Sequence, residues 1–390
     1  MKVSPGIDVL LEERRHLLSG ARIGAVVHPA SVRANLQHTA DALFDEKSWR
    51  LVSLFGPQHG ARGEKQDNMI ESEHYRDPDT GLPVHSLYSE TRRPTPEMLE
   101  DLDVLVFDLQ DVGTRVYTFA HTMAYCMEAC ARQNKRMVVL DRPNPINGRQ
   151  VEGNLLDTAY RSFVGRFPIP MRHGLTMGEL AQLLNSEFGI GCELLVVPMR
   201  GWHRSLWFDE TGLPWVMPSP NLPTVESTAV YPGTVLVEAT QVSEGRGTTR
   251  PFELVGAPYI NGRRLADHLN SLELPGVFFR PAAFEPTFQK WAGRLCGGVQ
   301  LHILDRNAFE SYLSGLVLLA AIRGLYPDSF KWREPPYEYE WEKQPIEILC
   351  GSRGIIRAME SGAPPDEMRA LCRDDVAGFL EQRRSYLLYD

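Results

Sequence analysis

No two cysteines in this chain form a CxxC pair, and the six present, at positions 126, 130, 192, 296, 350 and 372, have no companion histidines at zinc spacing. A zinc module and a dithiol redox motif are excluded on those spacings. Buried free thiols in a reducing compartment account for the residues, Cys126 and Cys130 being four apart on a helical pattern. Long apolar runs are missing as well: the longest, Leu316 to Ile322, falls far short of the roughly 18 apolar residues a membrane span needs. The opening MKVSPGIDVLLEERRHLLSG has no apolar core of signal-peptide length, because Glu12, Glu13, Arg14 and Arg15 interrupt it. A soluble, cytoplasmic protein is the expectation. Positive charge is in deficit, with 41 Lys and Arg against 50 Asp and Glu and a formal charge of −9, which argues against nucleic acid and anionic membrane surfaces as partners. A small, neutral or locally matched ligand fits better. There is also no glycine-rich phosphate turn: His28-Pro29-Ala30-Ser31 follows the first strand pattern, and Gly56, Gly60 and Gly63 fit neither the G-x-G-x-x-G nor the Walker spacing. No nucleotide or other cofactor, and no metal, is expected.

What is present is ordinary globular material, 390 residues that are 43% hydrophobic and 23% charged, enough for two domains with their own cores. Short β-rich runs at Arg22–Val27, Leu51–Phe55, Val84–Leu87, Val104–Phe107, Met137–Leu140 and Leu194–Val197 alternate with helical patterns such as Thr118–Asn134 and Thr176–Phe188. Such alternation predicts an α/β fold with a mostly parallel, doubly wound sheet. The Pro-rich stretch Met217 to Pro223 disfavours continuous helix and places a boundary near residue 225. Residues 1–225 then form the first domain and 226–390 a smaller α+β domain, in which Thr234–Val242 and Val299–Leu304 read as strands and Ala308–Arg323 as helix.

Polar loops follow three of the predicted strands, and in a parallel sheet they share one edge, where ligands bind. The strand LDVLVF runs into Asp108, Gln110, Asp111 and Arg115, two carboxylates and a guanidinium where chemistry would be placed. Two such acids can divide into an ionised and a protonated member. A purely structural reading makes Asp111 a cap for the helix near Tyr117 and Arg115 an ion-pair partner of Asp108. In the loop GPQHGARGEKQDN, Gln58, His59, Arg62 and Glu64 are hydrogen-bonding and acid/base candidates; the bland alternative has His59 capping the sheet edge and Glu64 solvated. LDRPNP with NGRQVEG offers Arg142, Asn144 and Glu152 on a segment stiffened by proline, suited to sugar hydroxyls that each need a fixed partner, or else a plain turn. From the second domain Glu238, Glu244 and Arg246 either close a cleft or make an interdomain ion pair.

The ordered motifs PQHGxxG, TGLPVxSLY, PTPEML, DVLVFDLQDVGTRxYT, LDRPNPxNG, VEG, SPNLPT, YPGT and SEGRGTxxPFELxGAP resemble the bacterial exo-β-N-acetylmuramidase family typified by NamZ, across nearly the whole chain. The resemblance implies a Rossmann-like first domain, a smaller second domain, and exo-acting hydrolysis of β-1,4-linked N-acetylmuramic acid from the non-reducing end of peptidoglycan fragments. The partner it implies is a small muropeptide or MurNAc-containing saccharide. The family pattern is PEHG, with its Glu a candidate catalytic carboxylate, whereas this chain carries Gln58. An amide cannot act as a general acid. Glycoside cleavage needs one carboxylic acid for the leaving oxygen and a second group to activate water, attack, or orient the substrate's own acetamide. Glu64, Asp108, Asp111 and Glu152 are the catalytic candidates. Gln58, His59, Arg115, Tyr117, Arg142, Asn144, Asn221, Glu244 and Arg246 are the substrate-binding ones, an arginine fork suiting the lactyl carboxylate. Gln58 leaves a second reading open, a muropeptide-binding protein without turnover.

Overall fold

The computed structural model describes residues 2–61 and 73–390, and its centre is a seven-stranded sheet. In chain order the strands of the molecule are β1 Arg22–Val26, β2 Arg50–Gly56, β3 Tyr75–Arg76, β4 Pro83–Ser86, β5 Val104–Phe107, β6 Arg136–Leu140, β7 Glu152–Leu155, β8 Pro170–Arg172, β9 Glu193–Val197, β10 Leu254–Ala257, β11 Val277–Phe284 and β12 Cys296–Ile303. The large sheet runs β3-β4-β2-β1-β5-β6-β9, parallel except for the short antiparallel edge strand β3. β7 pairs with β8, and β10-β12-β11 form a separate antiparallel sheet in the second half.

The apolar run of β5 reflects its position between two layers. Val104 and Val106 face one core together with Ile7 and Leu10 of the first helix, Gly6–Glu13, and Leu43 of the helix Thr39–Asp45. Leu105 and Phe107 face the other, against Phe119, Met123, Met127 and Cys130 of the helix Thr118–Arg132. Fully burying a side chain of this size is worth about 1.5–3 kcal/mol, so polar residues are confined to the strand ends. That second core continues without interruption into the second half of the chain through Tyr312, Leu316, Ile348 and Leu349.

Thr234–Val242 is not a strand. The helix Val225–Thr234, opened by a reciprocal Thr224/Ser227 cap, passes directly into a 3₁₀ turn at Val235–Ala239. Val235, Leu236 and Val237 are all buried, and a short apolar run enclosed on every side carries no periodicity to distinguish helix from strand. The helix packs on Ser311–Leu325 at a glycine crossing so close that a Cβ on Gly233 would lie 1.9 Å from the Ser311 carbonyl oxygen.

Candidate active site

The three polar loops do lie along one edge, since β2, β5 and β6 are parallel, but they divide between two environments. The carboxyl ends of β1, β5 and β6 are closed by a buried network: Asp108 accepts from Arg142 through both oxygens, at 2.5 and 2.7 Å, and from the Thr39 hydroxyl at 2.5 Å, while Arg142 also reaches the Val32 carbonyl. Asp108 is therefore paired with Arg142, not Arg115, and both of its oxygens are engaged. The open recess lies to one side, where the turn after β2, the segment leading into the helix Thr118–Arg132, and the second domain meet. Its wall includes Gln58, His59, Tyr117, Thr118, Ser219, Tyr231, Glu238, Arg246, Phe252, Tyr337 and Glu338, around about 390 Å³ of space out to its mouth.

The turn after β2 is held in an unusual backbone state. His59 has φ of 71° and is followed by Gly60 at 82°, with the Gly60 amide donating to the Pro57 carbonyl. A positive φ is uncommon for a residue with a side chain, and here it directs the ring at Ser219, whose Oγ lies 3.3 Å from His59 Nε2. Tyr117 donates its hydroxyl to the Pro218 carbonyl at 2.8 Å and meets Tyr231 edge-on, and Tyr231 in turn meets Phe252. Burial first, then the neighbouring Tyr231 and Asp111, push the Tyr117 phenol well above its ordinary pKa. Burial likewise raises the Tyr231 phenol, so both tyrosines form neutral walls, and Tyr117 is a hydrogen-bond donor. Asn221 is buried on the same Pro-rich segment.

Two carboxyls line the recess among the described residues, and their surroundings contrast. Glu238 accepts from Arg246 Nη2 at 2.6 Å and from the Tyr337 hydroxyl at 2.6 Å. Arg246 also faces Glu244 at 3.3 Å, and Glu244 meets Lys290 at 2.8 Å, which makes an alternating acid–base chain of zero net charge. Burial alone would raise Glu244, yet Lys290 and Arg246 together hold it below the usual carboxylate range. Among the described residues Glu338 instead accepts from two neutral donors, Gln58 Nε2 at 3.3 Å and the Tyr88 hydroxyl at 2.8 Å. Burial raises it to about 7, with the Glu238 charge adding to the effect and the Tyr88 and Gln58 hydrogen bonds opposing it. One acid is thus matched to a cation and the other is kept near neutrality, the division of roles that acid/base chemistry requires.

The remaining sequence candidates are placed as follows. Asp111 does not cap a helix. Its Oδ2 accepts from the Gly113 amide at 2.7 Å and lies 3.6 Å from His173 Nε2, while its buried Oδ1 has no hydrogen-bond partner. Arg115 is fully buried and donates to four carbonyls, those of Asn154, Ile169, Leu349 and Cys350, so it ties the halves of the chain together and does not face the recess. Asn144 bridges the Ile146 amide and the Leu175 carbonyl. Glu152 pairs with Arg172 at 2.6 Å and accepts from the Tyr312 amide beside a different, largely apolar recess. Glu64 lies outside the described residues. Tyr88, Tyr231, Tyr337 and Glu338 were not singled out as site residues in the sequence. For Tyr337 and Glu338 the alternation of Tyr and Glu after Pro335-Pro336 was the visible signal, but it also reads as a solvated tail. Among the described residues no group of three or more His, Cys, Asp or Glu comes together as a metal site.

Fold and site define a doubly wound α/β domain followed by a smaller α+β domain, with a recess at their junction whose two described carboxyls sit in contrasting settings. Comparison with known proteins agrees. The model for the N-terminal domain of exo-β-N-acetylmuramidase NamZ matches residues 23–226, and that for its C-terminal domain matches residues 229–389. The peptidoglycan β-N-acetylmuramidase NamZ of Bacillus subtilis strain 168 is 47% identical over 388 residues, spanning 100% of this chain and 92% of that protein. Two crystal structures of DUF1343 family proteins from Bacteroides fragilis superpose with TM-scores of 0.90 and 0.79 at 38% and 30% identity, each covering 100% of this chain and 99% of the other. The chain belongs to the exo-β-N-acetylmuramidase NamZ family.

Proposed function

We propose that this protein is an exo-acting glycosidase that releases β-1,4-linked N-acetylmuramic acid from the non-reducing end of peptidoglycan fragments. One observation carries the reading: the full-length kinship with a named peptidoglycan β-N-acetylmuramidase falls on a chain whose recess holds two carboxyls in opposite electrostatic settings. Hydrolysis of a glycoside asks for that pair, one group to protonate the leaving oxygen and one to serve the anomeric carbon. Gln58, His59, Tyr117, Asn221 and Arg246 surround the sugar. Of the three arginines that could meet the lactyl carboxylate, only Arg246 lines the recess, and it takes that role from its place between Glu238 and Glu244. Asp111, whose charge acts on Tyr117 and Tyr231 at the recess wall and whose Oδ1 is unpartnered, acts from behind that wall on the orientation of the acetamido group or the attacking water.

A binding protein without turnover, which Gln58 brought into view, is not favoured, because a second carboxyl lies against that amide. The cytoplasm is the proposed setting. All six cysteines stand unpaired and buried, as suits a reducing compartment, and no helix among the described residues is long and apolar enough to cross a membrane. The test is turnover of a chromogenic N-acetyl-β-muramide and of the MurNAc-GlcNAc disaccharide between about pH 4 and 9, a range wide enough to span shifted carboxyl pKa values. Release of MurNAc is expected from both, and no product from either would refute the assignment.

A further inference from the structure

We propose that Glu338, presented on a two-residue turn against Gln58 and Tyr88, is the acid that protonates the leaving glycosidic oxygen. The inference rests on the glycosidase reading above and goes beyond it in naming the atom that gives the proton.

The backbone makes the first argument. Tyr337 and Glu340 exchange both amide-to-carbonyl bonds, at 3.0 Å each, and the two residues between them, Glu338 and Tyr339, have φ of 46° and 63°. Positive φ at both central positions is the mark of a type I′ turn, which strongly prefers Asn-Gly. Glu-Tyr is a poor choice for it. Left-handed backbone at non-glycine residues is unfavourable and persists where the surroundings impose it. Here Glu338 is 2% exposed and lines the recess, while Tyr339 lies edge-on to Tyr88 and carries the Arg92 guanidinium on its face at 3.4 Å. The turn holds one carboxyl in the recess at the expense of local preference.

Hydrogen bonding makes the second. The Thr118 hydroxyl donates to Gln58 Oε1 at 2.6 Å, which fixes the amide so that Nε2 is the atom turned inward. One Nε2 proton goes to the Tyr88 hydroxyl at 3.1 Å and the other to Glu338 Oε1 at 3.3 Å, and Tyr88 passes its own proton to Glu338 Oε2 at 2.8 Å. Each donor in this ring is spent and none is a cation. Among the described residues, the charged and titratable groups around the carboxyl are Glu238 and Arg246 across the recess, Tyr88, Tyr231 and Tyr337 beside it, and Arg92, whose guanidinium lies 3.4 Å from the Tyr339 ring and 5.5 Å from that of Tyr88. Arg246 is directly engaged by Glu238 and Glu244. Neutral donors in a buried site favour a carboxyl that can hold a proton at working pH, whereas Glu238 is bonded directly to the Arg246 guanidinium. The geometry thus makes Glu338 the donor.

The step balances. The C1–O bond breaks with its electron pair going to the leaving oxygen, which takes the Glu338 proton. Water bonds to C1 and surrenders one proton to a base, and an equivalent proton returned from solvent to Glu338 restores the enzyme.

The experiment compares Glu338→Gln with the parent on MurNAc-GlcNAc and on an aryl N-acetyl-β-muramide whose phenol is strongly acidic and leaves without assistance. Loss of general-acid catalysis should slow the disaccharide by 10²–10⁴-fold, with less than about a tenfold loss on the activated aryl glycoside, since that leaving group takes no proton. Equal losses on both substrates, or no loss, would overturn the proposal. Two milder variants read the same proton. Tyr88→Phe removes a donor to the ionised carboxylate, and Gln58→Glu places a second carboxyl against it. Each should move the alkaline limb of kcat/KM upward by about one pH unit, and an unmoved limb in both would equally overturn it. Failure of the parent enzyme to cleave any muramide would refute the glycosidase reading itself, a result distinct from these.

Discussion

Replacing Arg115 with methionine removes the guanidinium but keeps much of the stem, and the structure allows the consequence to be sized. Four buried carbonyls lose a charged donor at once, at 2.7 Å from Asn154, 3.0 Å from Ile169, 3.1 Å from Leu349 and 2.7 Å from Cys350. The last two close the carboxyl end of the helix Pro345–Cys350, whose final carbonyls have no intrahelical partner. Hydrogen bonds to charged groups contribute about 1.5–3 kcal/mol each. Burial opposes them by lowering the Arg115 pKa, with no carboxylate in direct contact to compensate. The difference leaves a net loss of about 3–5 kcal/mol, the range seen when one member of a buried charged network is removed. In a chain of 390 residues that unfolds as a unit this lowers Tm by about 5 °C, and by more if the halves unfold separately. Urea unfolding gives the stability, and turnover of the chromogenic muramide by the folded fraction gives kcat/KM, which should stay within about threefold because Arg115 does not line the recess. Arg115→Lys should fall between, a single ammonium being unable to span four carbonyls in the guanidinium's plane. An unchanged midpoint together with a hundredfold loss of kcat/KM would show that the residue binds substrate and that the structural assignment is mistaken.

Three other outcomes are expected. Burial raises Asp141 to about 7 despite hydrogen bonds from Tyr389, the Gly178 amide and Thr176. The folded state thus keeps a proton that an unfolded aspartate releases near pH 4. The stabilisation is complete below about pH 4 and is lost as pH rises through 7, so the stability of the parent relative to Asp141→Asn should decline across that window in urea titrations, and a flat difference would contradict the shift. Gly233→Ala forces a methyl to within 1.9 Å of the Ser311 carbonyl oxygen and 2.9 Å of the Gly315 amide, where only backbone could yield. A loss of about 3 kcal/mol is expected from overpacking, and thermal denaturation showing no change would mean that the helices separate freely. Asp111→Asn should reduce kcat/KM on the disaccharide at least a hundredfold if the unpartnered oxygen serves the substrate. A stability loss near 1 kcal/mol with normal kinetics would reduce Asp111 to a cap on Gly113.

The first domain was legible because its physics is local and repetitive. Strands buried on both faces are uniformly apolar, so β5 emerged at its observed bounds, Val104–Phe107, and the parallel order follows from the helices between strands. The strand expected at Thr234–Val242 failed because full enclosure removes the solvent-facing positions that create a period. The site was legible only where a motif sat on its own wall. Gln58, His59, Tyr117 and Arg246 reach the recess; Asp108 and Arg142 were drawn into each other, and Glu152 into Arg172. Side chains with equal claims to chemistry in one dimension were thus separated by which partner each found when the chain closed.

Length, charge, cysteine spacing, the alternation of strands and helices and the family motifs are carried by the sequence itself, since each depends on residues near one another or on their total. Which carboxyl is neutral depends on the tertiary structure. Glu338 stands 280 positions from Gln58 and 250 from Tyr88, and no local pattern encodes the dielectric and the donors it meets. Its protonation is decided by desolvation and by the neutral donors, Gln58 and Tyr88, that it meets among the described residues, and both exist only after the second domain has folded onto the first.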